Sequence, residues 1–325
     1  MRLDEFLLRL PLRFDAEAMA AEVAALPEAA WVAHPDKLPG NEAVRLVTPG
    51  GAAIEDVVGS MAPTPHLLRL PYVMSAMAVI GAVWGRGRLM RLRAGAVVPP
   101  HVDTNFYWRK HVRIHVPIIT TPDVLFSCGH QTVHMAAGEC WIFDTFASHH
   151  VRNGGDAARV HLVIDTVGGE SLWDLMEHAR ALGPAADPAT YPLLAADTAQ
   201  TRNLTFERHD GATVMTPWEL RYHIAFIAEQ ARPHPRLATV MRRLERFVEG
   251  WNGLWASHGT SSDGAPAYRL LADTLERDLA TLGGQSLVLR NQLPLYRQVS
   301  ELLFTIRSSL PEENTLVETA SRRSR

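Results

Sequence analysis

Two alternating stretches decide the fold: residues 111–119, HVRIHVPII, and residues 159–166, RVHLVIDT. In the first stretch, Arg113, His115 and Pro117 occupy one side of an extended chain, and the aliphatic residues between them occupy the other. Alternation with a period of two is typical of a β-strand whose faces meet different surroundings. Both stretches therefore predict β-strands.

Shorter apolar runs surround these two strands. Residues 88–98, 124–128, 131–135 and 140–143 also have strand-like sequences, and turn residues such as Gly129 and Gly138 separate them. Many short strands joined by turns are typical of a sandwich or a barrel.

The two ends of the chain have a different sequence pattern, which predicts helices. Before about residue 87, Asp15 can cap a helix over residues 16–26, and residues 67–80 predict a second helix. After about residue 170 the periodicity is helical. It starts with a capping box at Thr216 and continues through a helix with Gly250 as its expected stop, then through residues 268–282 and 293–306.

We therefore expect an α+β chain with N-terminal helices, a β-rich core and a helical C-terminal region. The expected domains are residues 1–169 and 170–325. The helical region has two interpretations, a lid that completes a substrate site or an element of packing or homodimerisation. Helical periodicity favours packing.

The bulk composition narrows the function classes. The chain has 325 residues, 47% of them hydrophobic, and a net charge of -3, so it has no basic footprint for nucleic acid. It has no run of eighteen apolar residues to span a membrane and no leader-like start. Its two cysteines suggest reduced thiols. These features predict a cytoplasmic protein whose partner is a small molecule.

The fifteen histidines point to metal or acid–base chemistry in the β region. His101 and Asp103 are two apart, so on a strand they point to the same side. A third ligand from a distant strand would complete one face of an octahedron on Fe(II) and leave three positions open. His149, His150 and His161 are all candidates for that ligand.

Arginines near this site suggest anion binding. Arg159 lies ten residues beyond His149, across a turn, and its guanidinium can bind a ligand carboxylate through two parallel hydrogen bonds. The alternative is an exposed turn arginine paired with Asp156. Arg113 and His115 bind anions if their face lines a cavity, and face water if it does not.

Substrate contacts are less visible in the sequence. Arg91 and Arg93 alternate with Leu92, so they either reach a substrate carboxylate or point to solvent. Trp108 follows the His-x-Asp pair and forms either a pocket wall or core. Tyr107 has the same two interpretations.

Several separate motifs match a known family in order and spacing. They are Gly95, His101-Val102-Asp103-Thr104-Asn105, Arg113-Ile114-His115-Val116-Pro117, Gly138, Phe143-Asp144, His149, Val151 and Arg159-Val160-His161-Leu162-Val163-Ile164-Asp165. Together they resemble the aspartyl/asparaginyl β-hydroxylase family, including the bacterial proline hydroxylases grouped with it. The likeness fades after about Gly169 and covers about half of the chain.

The resemblance implies a double-stranded β-helix, a jelly-roll or cupin-like fold, that binds Fe(II) and 2-oxoglutarate and uses O2. It implies that His101 and His149 bind iron, that Arg159 holds the distal carboxylate of 2-oxoglutarate, and that Arg113 and His115 help to hold carboxylates. Vertebrate members carry glycine at the position of Asp103. The proline hydroxylase branch carries the aspartate, so this chain is nearer that branch.

The expected function is hydroxylation of a free amino acid or a small derivative, with release of succinate and CO2. Three alternatives stay open. One is a hydroxylase of an Asp, Asn or Pro residue in a peptide or protein. Another is a cupin-like metal-binding protein without turnover. The third is a metal isomerase or dioxygenase of the same fold with three or four histidine ligands.

Overall fold

The computed structural model describes residues 3–35, 37–195, 203–208 and 214–304. The chain forms two compact units. Unit 1 comprises residues 1–103 and 107–210, and unit 2 comprises residues 104–106 and 211–325.

Fourteen strands lie in the described part of unit 1. They are β1 (Leu7–Phe14), β2 (Val32–Ala33), β3 (Asn41–Pro49), β4 (Met61–Pro63), β5 (Val83–Leu92), β6 (Val97–His101), β7 (Val112–Ile119), β8 (Val124–Cys128), β9 (Gln131–Val133), β10 (Glu139–Phe143), β11 (His149–Asn153), β12 (Arg159–Gly168), β13 (Leu193–Leu194) and β14 (Thr205–Phe206). The helices before residue 211 are α1 (Ala16–Ala24), α2 (Pro71–Ile80), α3 (Phe106–Lys110) and α4 (Glu170–Leu182).

The strands form two sheets. The large sheet has the order β13-β1-β10-β7-β12-β5-β3-β2, with β14 beside β5 and β4 beside β3, and the small sheet has the order β6-β11-β8-β9. Helices and sheets together give the α+β double-stranded β-helix that the sequence analysis expected, with N-terminal helices and a helical region after it.

The large sheet separates two apolar clusters. On one face, aliphatic residues of β7 and β12 such as Ile114 and Leu162 join the apolar residues of α1, α2 and α4. On the other face, Leu92 and Phe143 of the large sheet cluster with Phe126 and other residues of the small sheet. The polar face of β7 is buried as well, so it faces the interior between the sheets and not solvent.

The sequence analysis expected only helices before about residue 87 and after about residue 170, so it missed the large-sheet strands β1, β2, β3, β4, β13 and β14. β1 pairs with β10, and β3 pairs with β5. The expected strand over residues 88–98 is also two strands, because the chain turns at Gly95, whose φ of 72° is in the left-handed region. The predicted cap of α1 is confirmed, since Asp15 Oδ1 accepts a hydrogen bond from Ala18 N at 3.0 Å.

The expected domain boundary after Gly169 falls inside unit 1. α4 begins at Glu170, and its residues Leu172, Met176 and Ala179 are buried in the core cluster that includes the large sheet. Arg180 at the end of α4 also donates to Glu5 at 2.8 Å. This packing ties the segment after β12 to the β-helix.

Unit 2 is helical in its described part. Its helices are α5 (Pro217–Gln230), α6 (Leu237–His258), α7 (Ala265–Thr281) and α8 (Leu295–Val299), followed by a π-helical turn over Ser300–Phe304. The predicted capping box is confirmed in part, since Thr216 Oγ1 accepts from Glu219 N at 3.2 Å. The end of the expected helix over 293–306 lies outside the described residues.

Gly250 was wrongly predicted to stop α6. The helix continues to His258, and Gly259 follows it with a positive φ of 53°. A Cβ at Gly250 would lie 3.3 Å from the side chain of Leu271 in α7, so the glycine allows the two helices to approach closely. No helix in the described ranges is long and apolar enough to cross a membrane.

Candidate active site

The pairing of β6 with β11 brings two histidines together. His101 and His149 are direct partners in this antiparallel pair, and their ring centroids are 4.2 Å apart. Asp103 follows β6, and its backbone N–H donates to the Thr145 carbonyl at 3.0 Å. One ligand atom from each of these three residues lies within 4.8 Å of the others.

Hydrogen bonds orient both imidazoles. His101 Nδ1 lies 2.9 Å from the Pro99 carbonyl, and His149 Nδ1 lies 3.0 Å from the Ala147 carbonyl. A carbonyl accepts only, so both Nδ1 atoms carry the proton and both Nε2 lone pairs are left for a metal. Burial, with the nearby His101, lowers the pKa of His149 to about 4, so its ring is neutral at neutral pH.

Asp103 is held as a carboxylate. Its Oδ2 accepts from Arg113 Nη1 at 3.0 Å. Burial raises the pKa of Asp103, but Arg113 and the two histidines together lower it by a larger amount, so the pKa lies below its ordinary value. Two neutral imidazoles and one carboxylate on one side of a metal are the donor set of non-haem Fe(II) oxygenases, so the residues fit Fe(II).

The other histidine candidates lie elsewhere. His150 is the neighbour of His149 on β11 and does not belong to the His101–Asp103–His149 group, although it lines the cavity beside that group. His161 is buried, and its Nδ1 lies 3.1 Å from Arg159 Nη2.

A cavity of about 360 Å³ opens beside the three residues. Its wall contains most of the residues that the sequence analysis singled out. They are His101, Asp103, Trp108, Arg113, His115, His149, His150 and Arg159. All of them belong to unit 1.

Arg159 is a buried cation without a counter-charge. Only 4% of the residue is exposed, its Nε has no hydrogen-bond partner, and no carboxylate of the described residues forms an ion pair with it. Burial lowers its pKa to about 9, which still leaves the guanidinium charged at neutral pH. A buried charge is costly without a partner, so this position favours an anionic ligand.

Arg113 is engaged differently from the expectation. It bridges two carboxylates, Asp103 and, through Nε at 2.9 Å, Asp165. Burial would lower its pKa, but these carboxylates raise it above its ordinary value. Trp108 covers the guanidinium, with the arginine carbon 4.0 Å from the ring centroid. Arg113 therefore orients a candidate metal ligand, and its charge is already balanced.

His115 contributes a neutral ring to the cavity wall. It lies edge-on to Phe126 and Phe143, and its Nδ1 has no hydrogen-bond partner in the part of the chain that the structure describes. Burial, reinforced by Arg159, lowers the pKa of His115 well below its ordinary value. Its ring can therefore offer one N–H to a ligand next to Arg159.

Arg91 and Arg93 are not brought to the site. Arg91 donates to Glu42 at 2.7 Å and to Glu28, and it lies over the Trp31 ring at 4.3 Å. Arg93 also pairs with Glu42, and neither arginine lines the cavity.

The arginines of β5 that do line the cavity are Arg86 and Arg88, which the sequence analysis missed. The signal was their alternation with Gly85 and Gly87. Met90 is the partner of His161 across β5 and β12, so Arg88, two residues before Met90, shares the inner face with that histidine.

Tyr107 is also away from the cavity lining. It is buried, and its hydroxyl accepts from the Arg86 backbone N–H at 2.9 Å. Its ring stacks on His111 at 3.7 Å, and His111 Nε2 lies 2.7 Å from Glu207 Oε2. These contacts fix α3 and the adjacent Trp108.

Comparison with known proteins gives one family match. Residues 51–168 match the aspartyl/asparaginyl beta-hydroxylase family. The matched segment contains His101, Asp103, His149 and Arg159.

Similar solved structures are remote in sequence. A protein of Burkholderia pseudomallei described as a 2OG-Fe(II) oxygenase family oxidoreductase has 14% identity and a TM-score of 0.33, over 47% of this chain and 77% of that chain. A sugar phosphate isomerase of the cupin superfamily from Silicibacter pomeroyi has 16% identity and a TM-score of 0.27, over 44% and 73%. A Klebsiella pneumoniae protein with a double-stranded β-helix domain has 15% identity and a TM-score of 0.22, over 26% and 68%.

Proposed function

We propose that this protein is an Fe(II)- and 2-oxoglutarate-dependent dioxygenase that hydroxylates a free amino acid or a small derivative. One observation carries the proposal. The buried guanidinium of Arg159, which has no carboxylate partner among the described residues, shares a cavity with a His-Asp-His group that fits Fe(II). The family match over residues 51–168 supports the same reaction class.

Each residue has a part in this proposal. His101, Asp103 and His149 would hold Fe(II), and Arg159 would bind the distal carboxylate of 2-oxoglutarate through its fork of N–H donors. Bound Fe(II) and 2-oxoglutarate supply the activation of O2 and the hydroxyl transfer, with succinate and CO2 as products. The protein contributes position, charge balance and exclusion of water.

Two features of the chain support that contribution. Arg113 donates to Asp103 Oδ2, which keeps the carboxylate ionised and orients it, and Asp103 would hold Fe(II) in that orientation. Phe126 and Phe143 line the cavity and belong to the buried apolar cluster of the two sheets, so they would help to exclude water from the ligand positions. Asp103 is also the residue that the proline hydroxylase branch carries, so we place the chain nearer that branch.

A coupled assay tests this proposal. The purified protein is incubated with Fe(II), ascorbate, 2-oxoglutarate and each of the twenty amino acids, and succinate and the hydroxylated product are measured together. We expect at least one amino acid to raise succinate release in a fixed ratio to product. The Asp103→Ala variant, assayed alongside, should release none.

Two outcomes of this assay would favour a different function from the one proposed. Turnover only with Asp-, Asn- or Pro-containing peptides would favour the peptide-modifying alternative. Binding of Fe(II) with no consumption of 2-oxoglutarate, with or without any of these substrates, would favour a cupin-like protein without turnover.

A further inference from the structure

Besides Arg113 and Arg159, a third buried arginine, Arg88, faces the cavity, and it lies on β5. Arg86, Arg88 and Met90 alternate along this strand and line the cavity, while Leu89 between them packs in the opposite cluster. Arg88 is 6% exposed, so its guanidinium is withdrawn from bulk water. No part of the proposed binding of Fe(II) or 2-oxoglutarate uses it.

The charge of Arg88 is only partly balanced. Its Nη1 lies 3.1 Å from His34 Nε2, and the carboxylate that pairs with it among the described residues, Glu55, is 3.8 Å away. The other oxygen of Glu55 accepts from Arg45 Nε at 2.5 Å, so that carboxylate is shared between two arginines. Burial, with Arg86 and Arg113 nearby, lowers the pKa of Arg88 to about 9, and the group stays charged at neutral pH.

Arg88 and Arg159 occupy different places on the inner face. Arg88 is the partner of Val163 across β5 and β12, and Arg159 is four residues from Val163 along β12. With strands about 4.8 Å apart and about 3.3 Å per residue, their α-carbons are about 14 Å apart. The two arginines therefore extend toward the cavity from well-separated backbone positions.

We propose that Arg88, with His34 beside it, binds the α-carboxylate of the substrate, so that the protein acts on free amino acids and not on residues within a peptide. This inference rests on the proposed function, because it assigns the second anion to the substrate of that reaction. A cavity of about 360 Å³ that also holds 2-oxoglutarate has room for a small molecule, whereas an internal peptide residue has no α-carboxylate and brings flanking chain.

The test compares substrates and variants together. Each amino acid that supports turnover is assayed with the wild-type protein as the free acid and as its α-carboxamide. Both are then assayed with Arg88→Gln and with the control Arg91→Gln, which removes an arginine of the same strand that lies outside the cavity. Affinity for 2-oxoglutarate is measured for each protein by anaerobic calorimetry in the presence of Fe(II).

We expect the carboxamide to lower kcat/KM by about 10- to 100-fold in the wild type, the effect of losing a charged hydrogen-bonded pair. Arg88→Gln should lower kcat/KM for the free acid by a similar factor, mainly through KM, and should have little further effect on the carboxamide. Its affinity for 2-oxoglutarate should stay within about twofold of wild type, which also shows that the cavity is folded. Arg91→Gln should match the wild type for both substrates.

Three results would overturn the inference. Carboxamides, or peptides with an internal Asp, Asn or Pro, could be used as well as the free acids. Arg88→Gln could leave KM for the free acid unchanged. The protein could bind and consume 2-oxoglutarate without responding to any free amino acid. By contrast, a wild-type protein that binds no 2-oxoglutarate contradicts the proposed function itself. In that case, calorimetric titration of the free amino acids into the wild type and into Arg88→Gln tests the role of Arg88 separately. Equal affinities for the two proteins, or no binding to either, would count against that role.

Discussion

Replacing Arg159 with methionine should weaken co-substrate binding without weakening the fold. The change removes a buried guanidinium and keeps a long side chain of comparable reach. Arg159 has no carboxylate partner among the described residues, so its removal leaves no opposite charge stranded. The protein therefore loses a charge that it keeps buried at a cost.

The size of each effect follows from these contacts. Loss of the contact to His161 Nδ1 costs about 1 kcal/mol, and removal of an uncompensated buried charge gains about 1–4 kcal/mol, so Arg159→Met should be at least as stable as wild type. Two charged hydrogen bonds to a carboxylate contribute about 1.5–3 kcal/mol each, so the Kd for 2-oxoglutarate should rise more than about 100-fold.

The assay combines urea unfolding with anaerobic calorimetric titration of 2-oxoglutarate. Arg91→Met is the matched control, because Arg91 lies on the outer face and pairs with Glu28 and Glu42. The control should lose stability and keep its affinity for 2-oxoglutarate. The reasoning is refuted if Arg159→Met is destabilised as much as the control while its affinity for 2-oxoglutarate is unchanged.

Three further predictions concern the metal ligands and pH. Asp103→Ala should lower Fe(II) affinity by more than about 100-fold, since even the loss of a residue that only hydrogen-bonds to a metal ligand lowers affinity by about 10- to 100-fold. If equilibrium dialysis shows that this variant binds Fe(II) as tightly as the wild type, Asp103 is not a ligand. His149→Ala should abolish Fe(II) binding while His150→Ala keeps it, and the opposite pattern in the same dialysis would move the ligand by one position. Burial lowers the pKa values of His115, His149 and His161 below the ordinary value of about 6.5, so below that pH the unfolded chain binds more protons than the folded chain. The free energy of unfolding should therefore decrease from pH 7 to pH 4.5. Urea titrations that show no decrease would contradict these shifts.

The sequence predicted the parts of the fold that have a clear local signal. β7 and β12 alternate cleanly, and their predicted bounds differ from the observed ones by no more than two residues at each end. β1 was missed because residues 7–14 mix leucines with Arg9 and Arg13, and its strand conformation depends on pairing with β10, which no local pattern reveals. β3 was missed for the same reason, since its partner β5 is distant in the sequence.

The site shows the same division. His101 and Asp103 are two residues apart, so the sequence placed them on one side of the chain. His149 was one of three candidates from spacing alone, and the family resemblance singled it out. The strand register that sets it opposite His101 is a long-range feature that spacing does not reveal. Arg88 was missed because a face cannot be assigned within residues 88–98 without knowing that the strand starts at Val83 and turns at Gly95.

The four arginines of the cavity wall differ in the carboxylates that surround them. Arg113 bridges Asp103 and Asp165 at 3.0 and 2.9 Å, so its charge is largely balanced within the protein. Arg86 lies 3.7 Å from Asp165, which it shares with Arg113, and Arg88 lies 3.8 Å from Glu55, which it shares with Arg45, so these two are only partly balanced. Arg159 has no carboxylate partner among the described residues.

A buried cation that the protein does not balance lowers stability, and a bound anion removes that cost. We therefore expect a bound anion to yield the most free energy at Arg159, and next at Arg88, which is more deeply buried than Arg86. The balanced Arg113 can be strongly charged and still serve to hold other side chains. We expect the carboxylates around each guanidinium, together with its burial and more than its distance from the candidate metal ligands, to distinguish the arginines that bind ligands from those that organise the site.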